Sequence, residues 1–357
     1  MRDDGNDLDA LLVTSPENIY YLIGLSHQGY FAFTMLVLPL EGEPALLTRM
    51  MESYTISAQA PDVRHFGYDD EEEAGAFALT AIKSLGLTTG RIGVDRSSMF
   101  FPAGVWEELE LGLPGVEWVD SSRSPSTSRR FRAGLVDQVR LIKSPAELEH
   151  IRRAAAISDR AARAGLRTAA VGINEKEVAA EVYRAMILGG GEYPGFVPLI
   201  RSTETLKQEH ATWRDRYLQP GEKVFIELSG SSARYHAPLG RMGYIAEIEP
   251  GAERVHGIAI DALDAVIATL RPGVETGTVY DAWQAVVDDG LGHSRLRRHH
   301  CGYTVGIGFP RAGWEAPPCW GSVAMAWSIS RQAWCHVLPG SPTRIWGITW
   351  SRHRGGW

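Results

Sequence analysis

The stretch Gly221–Arg241, GEKVFIELSGSSARYHAPLGR, carries the clearest structural signal in the chain. Its first part, from Val224 to Leu228, is rich in apolar residues of high β propensity. Small residues over Ser229–Ala233 predict a turn, and polar and ring side chains follow this turn. The stretch therefore predicts a strand, a turn and a second strand, around which the rest of the chain can be arranged.

Glu227 interrupts the apolar run of the first strand. A carboxylate on a central strand is costly to bury unless it meets a cation, a metal ion or several donors. One interpretation is a rim position, where the strand reaches the surface. His210 lies upstream, however, and Arg234, His236 and Arg241 follow within fourteen residues. Two imidazoles, two guanidiniums and one carboxylate around one strand pair indicate a candidate active site.

The composition is that of a soluble globular protein. Of its 357 residues, 44% are hydrophobic and 22% are charged, as is usual for a globular protein. The length is typical of about two domains. The net charge of −7 provides no basic surface for nucleic acid or an anionic membrane. No apolar run approaches the roughly 20 residues of a membrane span. The sequence therefore predicts that the protein binds a small-molecule substrate and neither nucleic acid nor a membrane.

Cysteine usage and the N-terminus indicate the compartment. The three cysteines, Cys301, Cys319 and Cys335, show no zinc-ligand spacing and are too few for a disulfide framework. The first residues, MRDDGNDLDALLV, are acidic and contain no apolar signal core. We therefore expect a reduced, cytoplasmic protein.

Strands and helices alternate in the first third of the chain, which predicts an α/β domain over residues 1–132. The predicted strands are Ala10–Val13, Phe31–Leu40, Ala45–Thr48, Arg91–Asp95 and Val116–Val119. The Ser- and Arg-rich segment Ser121–Arg132 predicts a connection to a second domain, residues 133–357. Its first long helix begins at Ser144-Pro145-Ala146-Glu147, which has the residues of a capping box. Later helices are predicted over Glu175–Leu188, Gly257–Leu270 and Val279–Asp289.

The order of these pieces resembles the creatinase/aminopeptidase P/prolidase family, which has the pita-bread fold. The resembling segments are DALLVTSPENIYYLIG (9–24), RLIKSPAELEHIRRAA (140–155), EHATWRD (209–215), GEKVFIELSG (221–230), RYHAPLGR (234–241) and CGYTVGIGF (301–309). The resemblance implies a mixed α/β (α+β) protein, in which a creatinase-type N-terminal domain precedes a pita-bread catalytic domain. It also implies a homodimer.

The metallopeptidases of this family bind two divalent ions, and this sequence departs from their ligand pattern. The first ligand Asp corresponds to Glu227, the second to Pro238 and the ligand His to Tyr303. Proline has no ligand atom, and tyrosine is a poor ligand for a two-ion carboxylate site. The sequence therefore predicts neither a metal nor another cofactor.

The combination of motifs is similar to the ectoine hydrolase branch of the family, whose members, like creatinase, act without a metal ion. The resemblance implies that a base activates water to break a C–N bond in a small amidine- or guanidine-bearing acid. His210 and Glu227 are then the catalytic candidates, with His210 as the base and Glu227 as the partner of the cationic group. The substrate-binding candidates are Arg201, Tyr235, His236, Arg241 and Tyr303, with Arg241 or Arg201 holding the carboxylate.

Several alternatives remain open at this point. His236 is equally explained as a residue that ties down a loop, and Arg201 as a surface residue. A metal-dependent Xaa-Pro aminopeptidase or dipeptidase is the second functional hypothesis. The third is an inactive binding protein of the same fold.

The tail has a different character from the rest of the chain. Seven of the eleven tryptophans lie from Trp314 onward, and no strand or helix pattern persists after Pro318. We interpret the sequence from about residue 319 as a frameshifted segment, because with suitable codons a shift of two nucleotides yields a family-like strand and turn. A genuine alternative C-terminus is the other interpretation. In the present frame we expect HVLPG (336–340) to be the one tail segment able to form a family strand, with Leu338 at a ligand position. We accordingly expect a poorly folded or inactive chain.

Overall fold

The computed structural model describes residues 7–122, 134–298, 300–310, 334–337 and 344–347. The chain divides into two compact units, Met1–Arg140 and Leu141–Trp357, and each unit combines helices with a sheet. The mixed α/β class is therefore confirmed. The predicted boundary at residue 132 lies outside the described residues. None of the helices in the described ranges combines the length and hydropathy that a bilayer crossing requires.

The first unit is built on a six-stranded sheet in the order β4-β3-β2-β1-β5-β6. Strands β1, β2 and β3 are antiparallel neighbours, whereas the pairs β3–β4, β1–β5 and β5–β6 are parallel. The elements are β1 (Ala10–Val13), α1 (Pro16–Ile23), β2 (Met35–Pro39), β3 (Ala45–Arg49), α2 (Ser53–Gln59), β4 (Arg64–Tyr68), α3 (Ala74–Ser84), β5 (Gly90–Val94), α4 (Ala103–Gly112), β6 (Val116–Asp120) and α5 (Leu135–Arg140).

Local signals in the sequence explain most boundaries of the first unit. Ser15 caps α1 by accepting a hydrogen bond from the Asn18 N–H, and Gly24 ends the helix with φ of 73°. Leu12, Val37 and Ile82 come from separate elements and meet in one buried core. The predicted strands Phe31–Leu40 and Ala45–Thr48 correspond to β2 and β3, which pair antiparallel and turn alternating apolar residues toward this core.

The second unit carries the segment from which the sequence analysis started. Its five-stranded antiparallel sheet has the order β10-β11-β9-β8-β7. The elements are α6 (Pro145–Thr168), α7 (Glu175–Leu188), β7 (Leu199–Ser202), β8 (Lys223–Ser232), β9 (Tyr235–Tyr244), α8 (Ala252–Thr269), α9 (Thr276–Leu291), β10 (Trp334–Val337) and β11 (Arg344–Gly347).

Helix α6 lies against β8 and β9 and closes one side of the sheet. Its predicted capping box is present, since Ser144 and Glu147 exchange hydrogen bonds at the helix start. Leu166 packs with Ile226 in the core between helix and sheet. The helix approaches the sheet so closely that a Cβ at Gly230 would lie 2.5 Å from the Ala154 carbonyl oxygen. Glycine is therefore required at this point of β8.

The turn between β8 and β9 differs from the predicted turn over Ser229–Ala233. Residues 229–232 continue the strand, and the turn consists of Ala233 and Arg234, with φ of 47° and 61°. Two successive positive φ values are typical of a type I′ hairpin, which normally uses Asn and Gly. Here the carboxylate of Glu192 accepts both N–H groups of the turn, at 3.0 and 2.9 Å. A distant residue therefore stabilises a turn that the local sequence does not predict.

The tail supplies two strands in the described residues. Strand β11 pairs with β9 through Arg344, Ile345 and Trp346, and β10 pairs with β11. The expectation that HVLPG alone could form a strand is therefore wrong: its residues His336 and Val337 belong to β10, but β11 is the direct partner of β9. An extended backbone is sufficient for this pairing. Leu338 and residues 319–333 lie outside the described residues.

The reading-frame hypothesis stays a prediction. Resequencing the gene across Pro318 tests it. We expect the protein encoded by a corrected frame to melt at a higher temperature than the present protein. An unambiguous confirmation of the present frame would end the hypothesis, as would cooperative melting and full activity of the present chain.

Candidate functional site

The register of β8 and β9 sorts the predicted site residues onto two faces of the sheet. Because side chains alternate along a strand, residues paired across the ladder share a face. The helix face, which packs on α6, carries Val224, Ile226, Leu228, Tyr235, Leu239 and Arg241. The open face carries Phe225, Glu227, Ser229, Ser231, His236 and Pro238.

Arg241 lies on the helix face, away from Glu227. It pairs with Ile226 and is buried near Asp159 and Arg163 of α6. Burial lowers the pKa of this guanidinium, and the nearby Asp159 opposes the effect. The expectation that Arg241 binds the substrate carboxylate is therefore corrected, since its strand position directs it into the core between sheet and helix.

Tyr235 also lies on the helix face. Its hydroxyl donates to Oε1 of Glu147 at 2.9 Å, and its ring stacks on His150 with 5.8 Å between the ring centroids. These contacts fasten the first turn of α6 to the sheet. The predicted substrate contact of Tyr235 is corrected for the same reason of strand alternation.

His236 lies on the open face, but both of its ring nitrogens are occupied. The Gly195 N–H donates to Nε2 at 2.8 Å, so the proton resides on Nδ1, which donates to the Arg234 carbonyl oxygen at 2.6 Å. Burial, assisted by the charge of Arg234, lowers the pKa of His236 to about 3. The predicted substrate contact of His236 is therefore corrected. The geometry supports the alternative, in which His236 holds a loop in place through its hydrogen bonds.

This neutral imidazole leads to a pH prediction. The unfolded chain protonates His236 near pH 6.5, whereas the native chain does so at about pH 3. The unfolded state therefore binds the extra proton between these values, and stability falls as pH is lowered from 6.5 toward 3. We expect His236→Gln to reduce this slope by up to about 1.4 kcal/mol per pH unit. Denaturant unfolding of both proteins from pH 4 to 7 measures it, and equal slopes would contradict the assignment.

Glu227 is the half-buried carboxylate of the open face. Burial raises its pKa, whereas the charges of Arg201 and His210 lower it and that of Glu209 raises it. Among the described residues, none donates a hydrogen bond to this carboxylate. Tyr303 is also close, because burial and the Glu227 charge together raise the pKa of its phenol. The structure thus places three predicted residues, Arg201, His210 and Tyr303, near the Glu227 carboxylate, to which no described residue donates a hydrogen bond.

Arg201 organises the loop that carries His210. It is 5% exposed, which excludes the alternative of a surface residue, and its guanidinium lies over the Phe225 ring at 4.9 Å. Its Nη1 donates to the carbonyl oxygen of Gln208 at 2.8 Å and lies 3.4 Å from a Glu209 carboxylate oxygen. Arg201 is therefore already engaged by the loop, which leaves the predicted role of holding a substrate carboxylate without support.

His210 occupies an unusual backbone position. Its φ is 58°, in the left-handed region that residues other than glycine adopt seldom, although histidine does so more often than most. Its side chain is exposed. Backbone strain of this kind is frequent at functional sites, where the surrounding structure enforces it. An exposed imidazole beside a half-buried carboxylate can accept a proton from water or substrate.

The three positions that correspond to metal ligands do not fit a two-ion centre. Glu227 and Pro238 are diagonal neighbours on the open face, since Pro238 pairs with Ser229. Proline offers no ligand atom, and the raised pKa keeps Tyr303 a neutral phenol. Within the described ranges, no three His, Cys, Asp or Glu side chains are arranged to hold a metal ion.

The sequence analysis missed two acidic residues of this region. Glu209 lies close enough to influence Glu227, and Glu175 is fully buried at the start of α7, with contacts to the His210 loop. Glu209 precedes His210 directly in EHATWRD, which could have drawn attention to it. Glu175 gave no such signal, because an acidic first helical residue is ordinary.

Two family models match the chain in tandem. The Creatinase/Prolidase N-terminal domain matches residues 1–142, and Metallopeptidase family M24 matches residues 149–320. The second match contains Glu227, His210 and Tyr303. The chain belongs to the creatinase/aminopeptidase P/prolidase family, with a creatinase-type domain followed by a pita-bread domain.

Individual relatives include hydrolases of different substrates. The chain is 26% identical to an ectoine hydrolase of Halomonas elongata, over 96% of this chain and 86% of the relative. It is 25% identical to an Xaa-Pro dipeptidase of Pyrococcus horikoshii, over 85% and 79%. The prolidase structure from Pyrococcus furiosus superimposes with a TM-score of 0.69 at 18% identity, covering 90% of this chain and 88% of that one. The chain is accordingly a hydrolase-family protein.

Proposed function

We propose that this protein is a metal-independent hydrolase of a C–N bond in a small acid that carries an amidine or guanidine group, with ectoine as the leading candidate. The observation that supports this most is the open-face cluster: a carboxylate to which no described residue donates a hydrogen bond, an exposed imidazole, and Pro238 and Tyr303 at two further ligand positions of the metallopeptidases. The similarity to an ectoine hydrolase supports the substrate class.

The chemistry follows from the residues of the cluster. The Glu227 carboxylate accepts hydrogen bonds from the substrate's amidinium, a pairing made strong by the opposite charges. His210 takes a proton from a water molecule while the water oxygen bonds to the amidine carbon. The C–N bond then breaks, and the departing nitrogen receives the proton from the His210 imidazolium. The Tyr303 phenol, close to Glu227, donates to the developing charge in this scheme.

The charges around Glu227 keep it suited to this task. Burial raises the pKa of Glu227, and the charges of Arg201 and His210 offset part of that rise. A Lewis acid is unnecessary, because the positive charge of the substrate already activates the carbon that water attacks. The protein's contribution is orientation of the amidinium, the water and the base.

A turnover comparison tests the proposal. We expect hydrolysis of ectoine, weaker or no hydrolysis of creatine, and no cleavage of Xaa-Pro dipeptides. The measurement follows product formation by NMR with the present chain and, if resequencing changes the frame, with the corrected chain.

Two outcomes would favour the other candidate functions. Xaa-Pro cleavage would support a dipeptidase, a possibility that the Pyrococcus horikoshii relative keeps relevant. Ectoine binding without turnover in either chain would support a binding protein.

We also infer a cytoplasmic homodimer from the family resemblance, and light scattering of the purified protein tests the dimer.

A further inference from the structure

The loop that carries His210 has an unusual anchor. Residues 203–213 connect the end of β7 to the segment that returns beside α7, and His210 lies near the far end of this loop. Both ends of the loop converge on one side chain. The Ser202 hydroxyl donates to Oε1 of Glu175, and the Arg214 N–H donates to Oε2 of Glu175 at 2.8 Å.

Burial of the Glu175 carboxylate carries a desolvation cost. Its exposure is 0%, and a buried carboxylate needs strong donors to offset its desolvation. The N-terminus of α7 and the two donors provide them. A carboxylate that merely completed the helix start would face the helix, as Glu177 does when it accepts from the Asn174 N–H. Both oxygens of Glu175 face the loop ends instead.

The anchor continues beyond Glu175. Arg216 donates through Nη1 to the Ser202 hydroxyl at 2.8 Å and to the Glu222 carboxylate, also at 2.8 Å. The Ser202 hydroxyl is thereby oriented, because it accepts from Arg216 and donates to Glu175. A chain of charge-assisted hydrogen bonds therefore fixes the base of the loop.

We propose that Glu175 is a positioning residue that holds the His210 loop in the place from which His210 reaches the water beside Glu227. This inference rests on the proposed function, since it concerns the base of that reaction. A general base must lie within about 2.6–3.2 Å of the proton it takes. A shift of about 1 Å can lower the rate about 10²-fold. Among the described residues, the hydrogen bonds of the Glu175 carboxylate go to Ser202 and Arg214, so we expect it to act on His210 through the loop.

Glu175→Gln tests the inference, with Glu177→Gln as the control. Both variants remove one negative charge from the first turn of α7, but only Glu175 contacts the loop. We expect Glu175→Gln to lower kcat about 10–100-fold while KM stays within about twofold. We expect Glu177→Gln to leave both constants unchanged, because glutamine also serves in a capping box.

Limited trypsin digestion reports the loop itself. Lys207 is exposed within the loop, and cleavage after it requires the loop to open. We expect cleavage at Lys207 to become at least about tenfold faster in Glu175→Gln than in Glu177→Gln. Ser202→Ala, which removes the other half of the anchor, should act in the same direction if Glu175→Gln fails to fold.

The outcomes separate this inference from the proposed function. Unchanged cleavage at Lys207 would contradict the claim that Glu175 holds the loop. Faster cleavage with wild-type kcat would contradict the positioning role but not the proposed hydrolase activity. A raised KM with unchanged kcat would also contradict it. Absence of turnover on every substrate, by the present chain and by any frame-corrected chain, would instead reject the proposed function and the positioning role of Glu175 with it.

Discussion

Replacement of His210 by alanine or asparagine lowers kcat by about 10²–10⁴-fold if His210 is the base that activates water. The imidazole is exposed and packs in no core, so the loss should leave the fold intact. Asparagine is the more informative variant, because it tolerates the left-handed φ of 58° better than alanine while being unable to accept the proton at neutral pH. Steady-state turnover and thermal melting of both variants measure the two effects.

The contrary result is equally clear. If His210→Asn retains kcat within about tenfold of wild type, another group takes the proton and the assignment is wrong. Partial rescue of His210→Ala by added imidazole would strengthen the assignment, because a free base can then occupy the vacated space.

Replacement of Glu227 by glutamine raises KM for a cationic substrate by about 30–1000-fold, the equivalent of about 2–4 kcal/mol for loss of a desolvated charge partner. Stability should not fall. Burial raises the pKa of Glu227, so its ionised form destabilises the native state at neutral pH, and the neutral amide removes that cost. A melting temperature equal to or above that of wild type, with much weaker substrate binding, is the expected pair of results.

Glu209→Gln is the matched control for this experiment. Glu209 lies near the same site but is 67% exposed, so solvent screens its charge. We expect a change in KM of less than about threefold for Glu209→Gln. If both variants behave alike, the effect is one of general negative charge, and Glu227 has no specific role in binding the cation.

The parts of the fold that depend on neighbouring residues were predictable from the sequence. Ser144 is the predicted helix cap that the structure confirms, and Ser15 and Asn174 are caps of the same recognisable kind. The cluster around Glu227 was predictable in part, because His210 and Glu227 carry chemistry that their surroundings do not otherwise explain.

The sequence did not predict which residues of β9 lie on which face of the sheet, and the position of the turn explains why. A turn over Ser229–Ala233 leaves the register of β9 undefined, and one residue of slip moves every side chain to the other face. The actual turn, Ala233–Arg234, depends on hydrogen bonds that its N–H groups donate to the distant Glu192 carboxylate. Arg241 and Tyr235 were misassigned for this reason. Glu175 was missed because its partners, Ser202 and Arg214, are far from it in sequence.

The central claim is hydrolysis of an amidine or guanidine C–N bond without a metal ion, and one measurement tests it most directly. Purified protein is depleted of metals with a strong chelator, its metal content is determined by mass spectrometry, and ectoine turnover is measured before and after depletion. We predict unchanged turnover with far less than one metal ion per chain. Loss of turnover on depletion, with recovery on addition of manganese or zinc, would contradict the account.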